Sequence, residues 1–225
     1  VPVPAVDFFV SQDSELGSPF MISQKIEGVT LGSRLKELTP EQRIHIDREI
    51  GAILSNLHQV GGSQFGTYLG PHFTTWPEAF MHLVSDLEQD ARDASVQLDP
   101  GIFTLFDRHA ASLESVKEAR LVHWDMWDEN ILIDPATLSI TGIVDFERAL
   151  WGDPLLEWNF ITPSATLLEA CPHIVLDKDA QIRRSLYSLY LGLILVIETK
   201  YRGFNEDHLT WCRGQVAKAV SSLDN

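Results

Sequence analysis

A chain of 225 residues, 44% hydrophobic and 22% charged, has the composition of a folded soluble protein and is long enough to bury a sizeable core in one large domain or two small ones. Its 32 acidic side chains against 17 basic ones leave a formal net charge of −15, which excludes the basic face that nucleic-acid binding requires and fits cationic ligands as well as plain solubility. Two cysteines, Cys171 and Cys212, form neither a disulfide framework nor a metal spacing and point to a reducing, cytoplasmic compartment. The opening Val1-Pro2-Val3-Pro4 is no signal peptide, and the longest apolar run, 186–197, falls short of the about 20 residues that span a membrane.

The first ten residues are apolar and interrupted by proline, and 11–18 is polar. Phe20 to Ser23 reads as a strand, and Gln24-Lys25-Ile26-Glu27-Gly28 as a tight connection after it. Thr39-Pro40-Glu41-Gln42 is a helix start: threonine caps, proline suits the first helical position, and Gln42 completes a capping box. Ile46, Ile50, Ile53, Leu54 and Leu57 follow at helical spacing, and Gly61-Gly62 is read as the stop. His58 lies on the apolar face as a core histidine. The run GGSQFG at 61–66 is a loop, not a phosphate cradle, because no strand feeds it and no Gly-Lys-Ser/Thr follows. Helices are predicted over 76–94 and 102–119, separated by the break Gln97-Leu98-Asp99-Pro100-Gly101. Asp86, Glu88 and Asp90 form a solvated face of the first. Helices over 179–201, apolar nearly all round between Leu186 and Ile197, and over 206–223 complete the chain.

Between these helices, 121–147 (LVHWDMWDENILIDPATLSITGIVDFE) reads as strand, polar loop, strand, turn, strand. Asp134-Pro135-Ala136-Thr137 is a turn by composition. A hairpin flanked by acids brings Asp125, Asn130 and Asp145 into one small space. Mg²⁺ takes hard oxygen ligands, commonly one or two carboxylates plus phosphate oxygens. Asn130 and Asp145 supply the protein's share, and Asp125 accepts the proton of an attacking hydroxyl. Each of the three alone reads as turn chemistry; together, at this spacing, they match the kinase template of loop base, loop Asn on metal and later Asp-Phe on metal.

His123-Trp124-Asp125 with Asn130, then Asp145-Phe146-Glu147 and Trp151-Gly152-Asp153-Pro154, resemble the aminoglycoside phosphotransferase and choline kinase-like family. That resemblance implies a protein kinase-like α+β fold, mainly the helical C-terminal lobe (29–225) with a remnant of the N-terminal lobe sheet and hinge (1–28). It also implies ATP as phosphoryl donor, Mg²⁺, and a hydroxyl of a small molecule as acceptor. By position, backbone groups of Gln24 and Ile26 then bond the adenine edge, with Met21 or Ile22 flanking the base. His123 is structural, its ring bonding backbone near the metal loop. Asp153 becomes an acceptor for backbone donors bracing the catalytic loop, and Glu157 and Trp158 begin a helix near the site and contact substrate. The family's glycine-rich roof and strand lysine precede the hinge. Here the first lysine is Lys25, so the sequence is expected to be a fragment or processed form, or to have lost that lobe. The alternative is a degenerate kinase-fold protein that binds a small molecule, or catalyses a non-phosphoryl reaction with Asp125 and neighbouring acids. A serine hydrolase is disfavoured, since no Gly-x-Ser-x-Gly elbow occurs.

Overall fold

The computed structural model describes residues 1–11 and 17–224, so most of the polar stretch 11–18 lies outside the described residues. Strands β1 (Val6–Val10), β2 (Phe20–Ser23) and β3 (Val29–Thr30) lead into the short α1 (Leu31–Arg34) and the long α2 (Pro40–Leu57). Strands β4 (Gly61–Gly62) and β5 (Gly66–Thr67) precede α3 (Trp76–Asp93) and α4 (Pro100–His109). Then come β6 (Ala119–Val122), β7 (Ile131–Ile133), β8 (Ile140–Ile143) and β9 (Leu150–Gly152). Helices α5 (Ala165–Ala170), α6 (Lys178–Arg202) and α7 (Glu206–Leu223) close the chain. The architecture is α+β with a helical C-terminal part.

The chain divides into two compact units. The first comprises Val1–Leu57, Asp125–Arg148 and Pro163–Pro172. Its strands form an antiparallel β1-β2 pair and an antiparallel β3-β7-β8 sheet. Helix α2 starts as its sequence dictates: Thr39 N donates to Gln42 Oε1 at 2.9 Å, and Gln42 N donates to Thr39 Oγ1 at 3.3 Å. Ile46, Ile50 and Leu54 of α2 join Leu31, Ile131, Ile133, Ile143 and Leu167 in the core. Gly51 lets α5 come close, since a Cβ there would lie 2.5 Å from that of Ala170. The Glu49 carboxylate of α2 accepts the Ile140 N–H at 2.6 Å, tying the helix to the first residue of β8. On the β1-β2 pair, by contrast, Val6, Phe8, Phe9, Met21 and Ile22 are all exposed.

The second unit comprises His58–Trp124, Ala149–Thr162 and His173–Asn225. Its antiparallel sheet has the order β4-β6-β9-β5. Trp76, Phe80, Phe106, Tyr187 and Tyr190 form an aromatic core from α3, α4 and α6. Three elements differ from the sequence reading here. Gly61-Gly62 does not cap α2 but pairs with Arg120 and Ala119 as β4; a Cβ at Gly62 would meet the Trp151 indole at 2.5 Å, so glycine is needed for that ring to lie on the strand. The helix expected over 102–119 ends at His109 and tightens to a 3₁₀ segment, Ala110–Ser115. There the hydroxyls of Ser112 and Ser115 donate to the carbonyls three residues back, competing with helical bonding. Glu157 and Trp158 lie inside, rather than begin, a short 3₁₀ segment, Pro154–Asn159. Among the described residues no helix is long and apolar enough to cross a membrane.

Candidate active site

The first unit carries Asp125, Asn130 and Asp145, and its backbone brings their segments to one end of the β7-β8 hairpin. Ile131 pairs with Ile143, and one step further out the Val144 N–H donates to the Asn130 carbonyl at 3.1 Å. Asp145 is the next residue, and it is exposed. On the loop, Asn130 is buried and its Nδ2 donates to the Asp125 carbonyl at 2.8 Å and to Asp125 Oδ2 at 3.3 Å. Only an NH₂ can serve two oxygens, so the amide orientation is set and Oδ1 is left as an acceptor. Trp127 N donates to Asp125 O at 3.0 Å and Asn130 N to Trp127 O at 2.9 Å, which coils the loop tightly between the two residues. Trp127 itself is exposed.

Asp145 has φ +66° and Trp124 has φ +53°. A non-glycine residue in the left-handed region costs on the order of 1–3 kcal/mol and persists where the surroundings over-determine it. Here the two fall at the residue before the candidate base and at the candidate metal ligand.

Asp128, on the same loop, has its carboxyl held above the usual carboxylate range by burial, only partly offset by Arg43. That guanidinium lies 3.6 Å from Asp128 and 2.8 Å from Asp47. Of the residues assigned to the nucleotide, Gln24 is exposed, its N–H donating to Ala5 O at 2.9 Å. Ile26 packs over Gly142, where a Cβ would lie 2.3 Å from Ile26 Cδ1. Gly28 follows at φ +144°, its Cα facing Ile133 O so closely that a Cβ would come to 2.7 Å.

The second unit carries His123, Trp124, Asp153, Glu157 and Trp158. His123 is fully buried and its N–H donates to Glu157 Oε1 at 2.7 Å; Trp124 N donates to Oε2 at 3.2 Å. Glu157, assigned from sequence to the substrate, is thus fully buried, with both oxygens on the backbone that runs into Asp125. An acid inside the apolar run Leu155-Leu156-Glu157-Trp158 was the available signal. Asp153 is also buried: Oδ1 accepts Leu155 N at 3.0 Å, while Oδ2 accepts Arg183 Nε and the Tyr187 hydroxyl, both at 2.7 Å. Burial and the adjacent Asp153 push the Tyr187 phenol well above its usual value, so it stays a donor. Trp158 is buried and its Nε1 is shielded with no acceptor.

An amide oxygen and a carboxylate are hard donors, and they fit Mg²⁺, which prefers few protein ligands and completes its shell with water and phosphate. Among the described residues no three His, Cys, Asp or Glu side chains converge as a self-sufficient cage.

The mixed α+β architecture and the His-x-Asp-x₄-Asn loop ahead of an Asp-bearing hairpin define a protein kinase-like phosphotransferase fold. The phosphotransferase enzyme family matches residues 1–161, and the chain belongs to it. Solved structures agree on the fold. Aminoglycoside phosphotransferase APH(4)-Ia, in ternary complex with ADP and hygromycin B, aligns at TM-score 0.65 and 21% identity over 99% of this chain and 77% of that one. A Ralstonia eutropha protein described as an aminoglycoside phosphotransferase aligns at TM-score 0.72 and 13% identity over 100% of this chain and 78% of that one. Among curated proteins, the Arabidopsis thaliana protein named probable acyl-CoA dehydrogenase IBR3 is 25% identical over 196 residues, 80% of this chain. The Mus musculus acyl-CoA dehydrogenase family member 10 is 24% identical over 70% of this chain. The chain spans only 22% and 14% of the length of those two proteins.

Proposed function

We propose that the chain transfers a phosphoryl group from ATP to a hydroxyl of a small molecule, with Mg²⁺. The observation that supports this reading is that the segments carrying Asp125, Asn130 and Asp145 meet at the open end of the β7-β8 hairpin, with Asn130 Nδ2 bonded to Asp125. Asp125 orients the acceptor hydroxyl and takes its proton. Asn130 Oδ1 and the Asp145 carboxylate hold the metal, whose charge offsets that of the phosphates when bound. Backbone groups of Gln24 and Ile26 meet the nucleotide base, and Gly28 permits the sharp exit from that segment. His123 and Glu157 brace the backbone entering the loop, and Asp153 braces the segment after β9. Catalysis by such a site is positioning plus charge neutralisation. We place the protein in a reducing compartment because its two cysteines, Cys171 and Cys212, are too few for a disulfide framework. The dehydrogenase relatives match over a small part of their length, and dehydrogenase chemistry is not carried over. Solved neighbours hold adenine and guanine nucleotides, ADP in one and GDP in another, so both ATP and GTP belong in the assay.

The test is transfer from radiolabelled ATP or GTP to a panel of hydroxylated small molecules, with Asp125→Asn beside the parent. Loss of the base typically costs about 10²–10⁴ in rate. The variant is expected to melt as the parent does and to lose transfer by that order. Transfer at the parental rate by a folded Asp125→Asn protein removes Asp125 from the base role.

A further inference from the structure

The second unit contains a groove that none of these assignments uses. It runs between α6 and α7 and is closed at one side by Asn159 and Phe160, and it encloses about 330 Å³, within the range of small-molecule pockets. Its apolar wall is Phe160, Leu191, Leu195 and Trp211. Trp211 is 53% exposed, a large aromatic surface left to water on one flank of the groove. The two helices meet closely at its floor: a Cβ on Gly192 would stand 3.0 Å from Val216 Cγ2.

The polar groups of the groove are unbalanced in one direction. In a chain of net charge −15, no carboxylate lines it among the described residues, and Lys218 is the one ionised side chain among them that does. Among the described residues no ion pair is found for Lys218, which stands exposed and open to an anion in the groove. Asn159 stands on the wall with its Nδ2 shielded from solvent, so it contributes surface to the groove and no accessible donor.

We propose that this groove binds an amphipathic anion: a small carboxylate whose apolar body lies along Leu191, Leu195, Phe160 and Trp211, with its charge on Lys218. An aliphatic carboxylate satisfies both halves of the wall. A polyamine meets one ammonium and no carboxylate, so the groove selects against polycations. The proposal goes beyond phosphoryl transfer and is tested without nucleotide, so the two readings stand or fall separately.

The experiment titrates three probes of equal chain length, octanoate, octylamine and octanol, into the 225-residue chain, followed by calorimetry and tryptophan fluorescence. Octanoate is expected to bind saturably and more tightly than octylamine by up to about fivefold, the scale of one exposed charge pair. Lys218→Glu, at an exposed position, should invert that order. Ser188→Trp, at an exposed site of α6 on the groove, should abolish binding of all three, and Trp211→Phe should remove the fluorescence change while keeping the calorimetric one. Circular dichroism and melting of each variant establish that it is folded. Equal binding of octanoate and octylamine, an unchanged order in folded Lys218→Glu, or no saturable octanoate binding by the folded parent overturns the proposal.

Discussion

A carboxylate as deeply buried as that of Glu157 is tolerated only when its oxygens are hydrogen-bonded, and here both accept main-chain N–H groups, of His123 and Trp124. Glu157→Gln keeps the volume but turns one acceptor into a donor facing an N–H. We expect a loss of about 1–3 kcal/mol, the cost of a buried unsatisfied group, read as a lower midpoint in urea; an unchanged midpoint would show that the pair of bonds is dispensable. The histidine pair of the same unit sets a pH response. His58 Nδ1 and His173 Nε2 lie 2.8 Å apart, so one ring must donate and the other accept, and both cannot be charged. Burial, then neighbouring His58, then Arg120, hold the His173 pKa below its ordinary 6.5. The unfolded chain therefore takes up this proton at higher pH than the folded one. The stability that His173 contributes is complete above about pH 6.5 and is lost as pH falls through the folded value. Melting temperature should fall between neutral and mildly acid pH, and His173→Gln should flatten that slope. An identical slope in the variant would assign the effect to other groups.

Elements were legible where local chemistry decides them. The Thr39 box starts α2 because its donors and acceptors are three residues apart and need nothing else. Thr39→Ala should cost about 1 kcal/mol, measurable as a shifted denaturation midpoint, and Thr39→Ser should restore most of it. No shift in the alanine variant would mean that tertiary packing alone holds the helix start. Helices α6 and α7 lie within one residue of the expected spans 179–201 and 206–223, and the structure adds that Asp177 and Asn205 cap their starts and that Gly203, at φ +64°, ends α6. Elements set by distant partners were not. β4 exists because Gly61 and Gly62 find Arg120 and Ala119. α4 stops at His109, whose carbonyl takes the Ser112 hydroxyl, and the Ser112 carbonyl in turn accepts Ser115 Oγ and, at 3.2 Å, Arg183 Nη1. The helix α5 carried no periodic signal in its six residues. β2 was readable as a strand followed by a tight connection, but β1, inside an apolar and proline-interrupted stretch, was not, and neither were their exposed faces. Two strands bearing exposed Phe8, Phe9, Met21 and Ile22 are marginal by themselves in water.

For the whole molecule, the metal reading makes a linkage prediction. Two protein oxygens are too few to hold Mg²⁺ tightly, so nucleotide and metal should stabilise the fold together rather than separately. At a ligand concentration about 100 times the dissociation constant, binding adds about 2.7 kcal/mol. ATP with Mg²⁺ should therefore raise the melting temperature by more than the sum of the two alone, and Asp145→Ala should remove the excess; an excess that survives in that variant would place the metal elsewhere. The sequence by itself determined the family and the α+β class, and it nominated the three residues of the candidate site. Those rest on short-range spacing: five residues from Asp125 to Asn130, and a turn-linked hairpin from Asn130 to Asp145. Only the tertiary structure decided that Glu157 faces inward to the backbone, that Asp153 gathers Arg183 and Tyr187, and that no carboxylate among the described residues lines the α6-α7 groove. Those contacts join residues about thirty or more positions apart, where no local propensity or periodicity reaches and burial alone selects the partner.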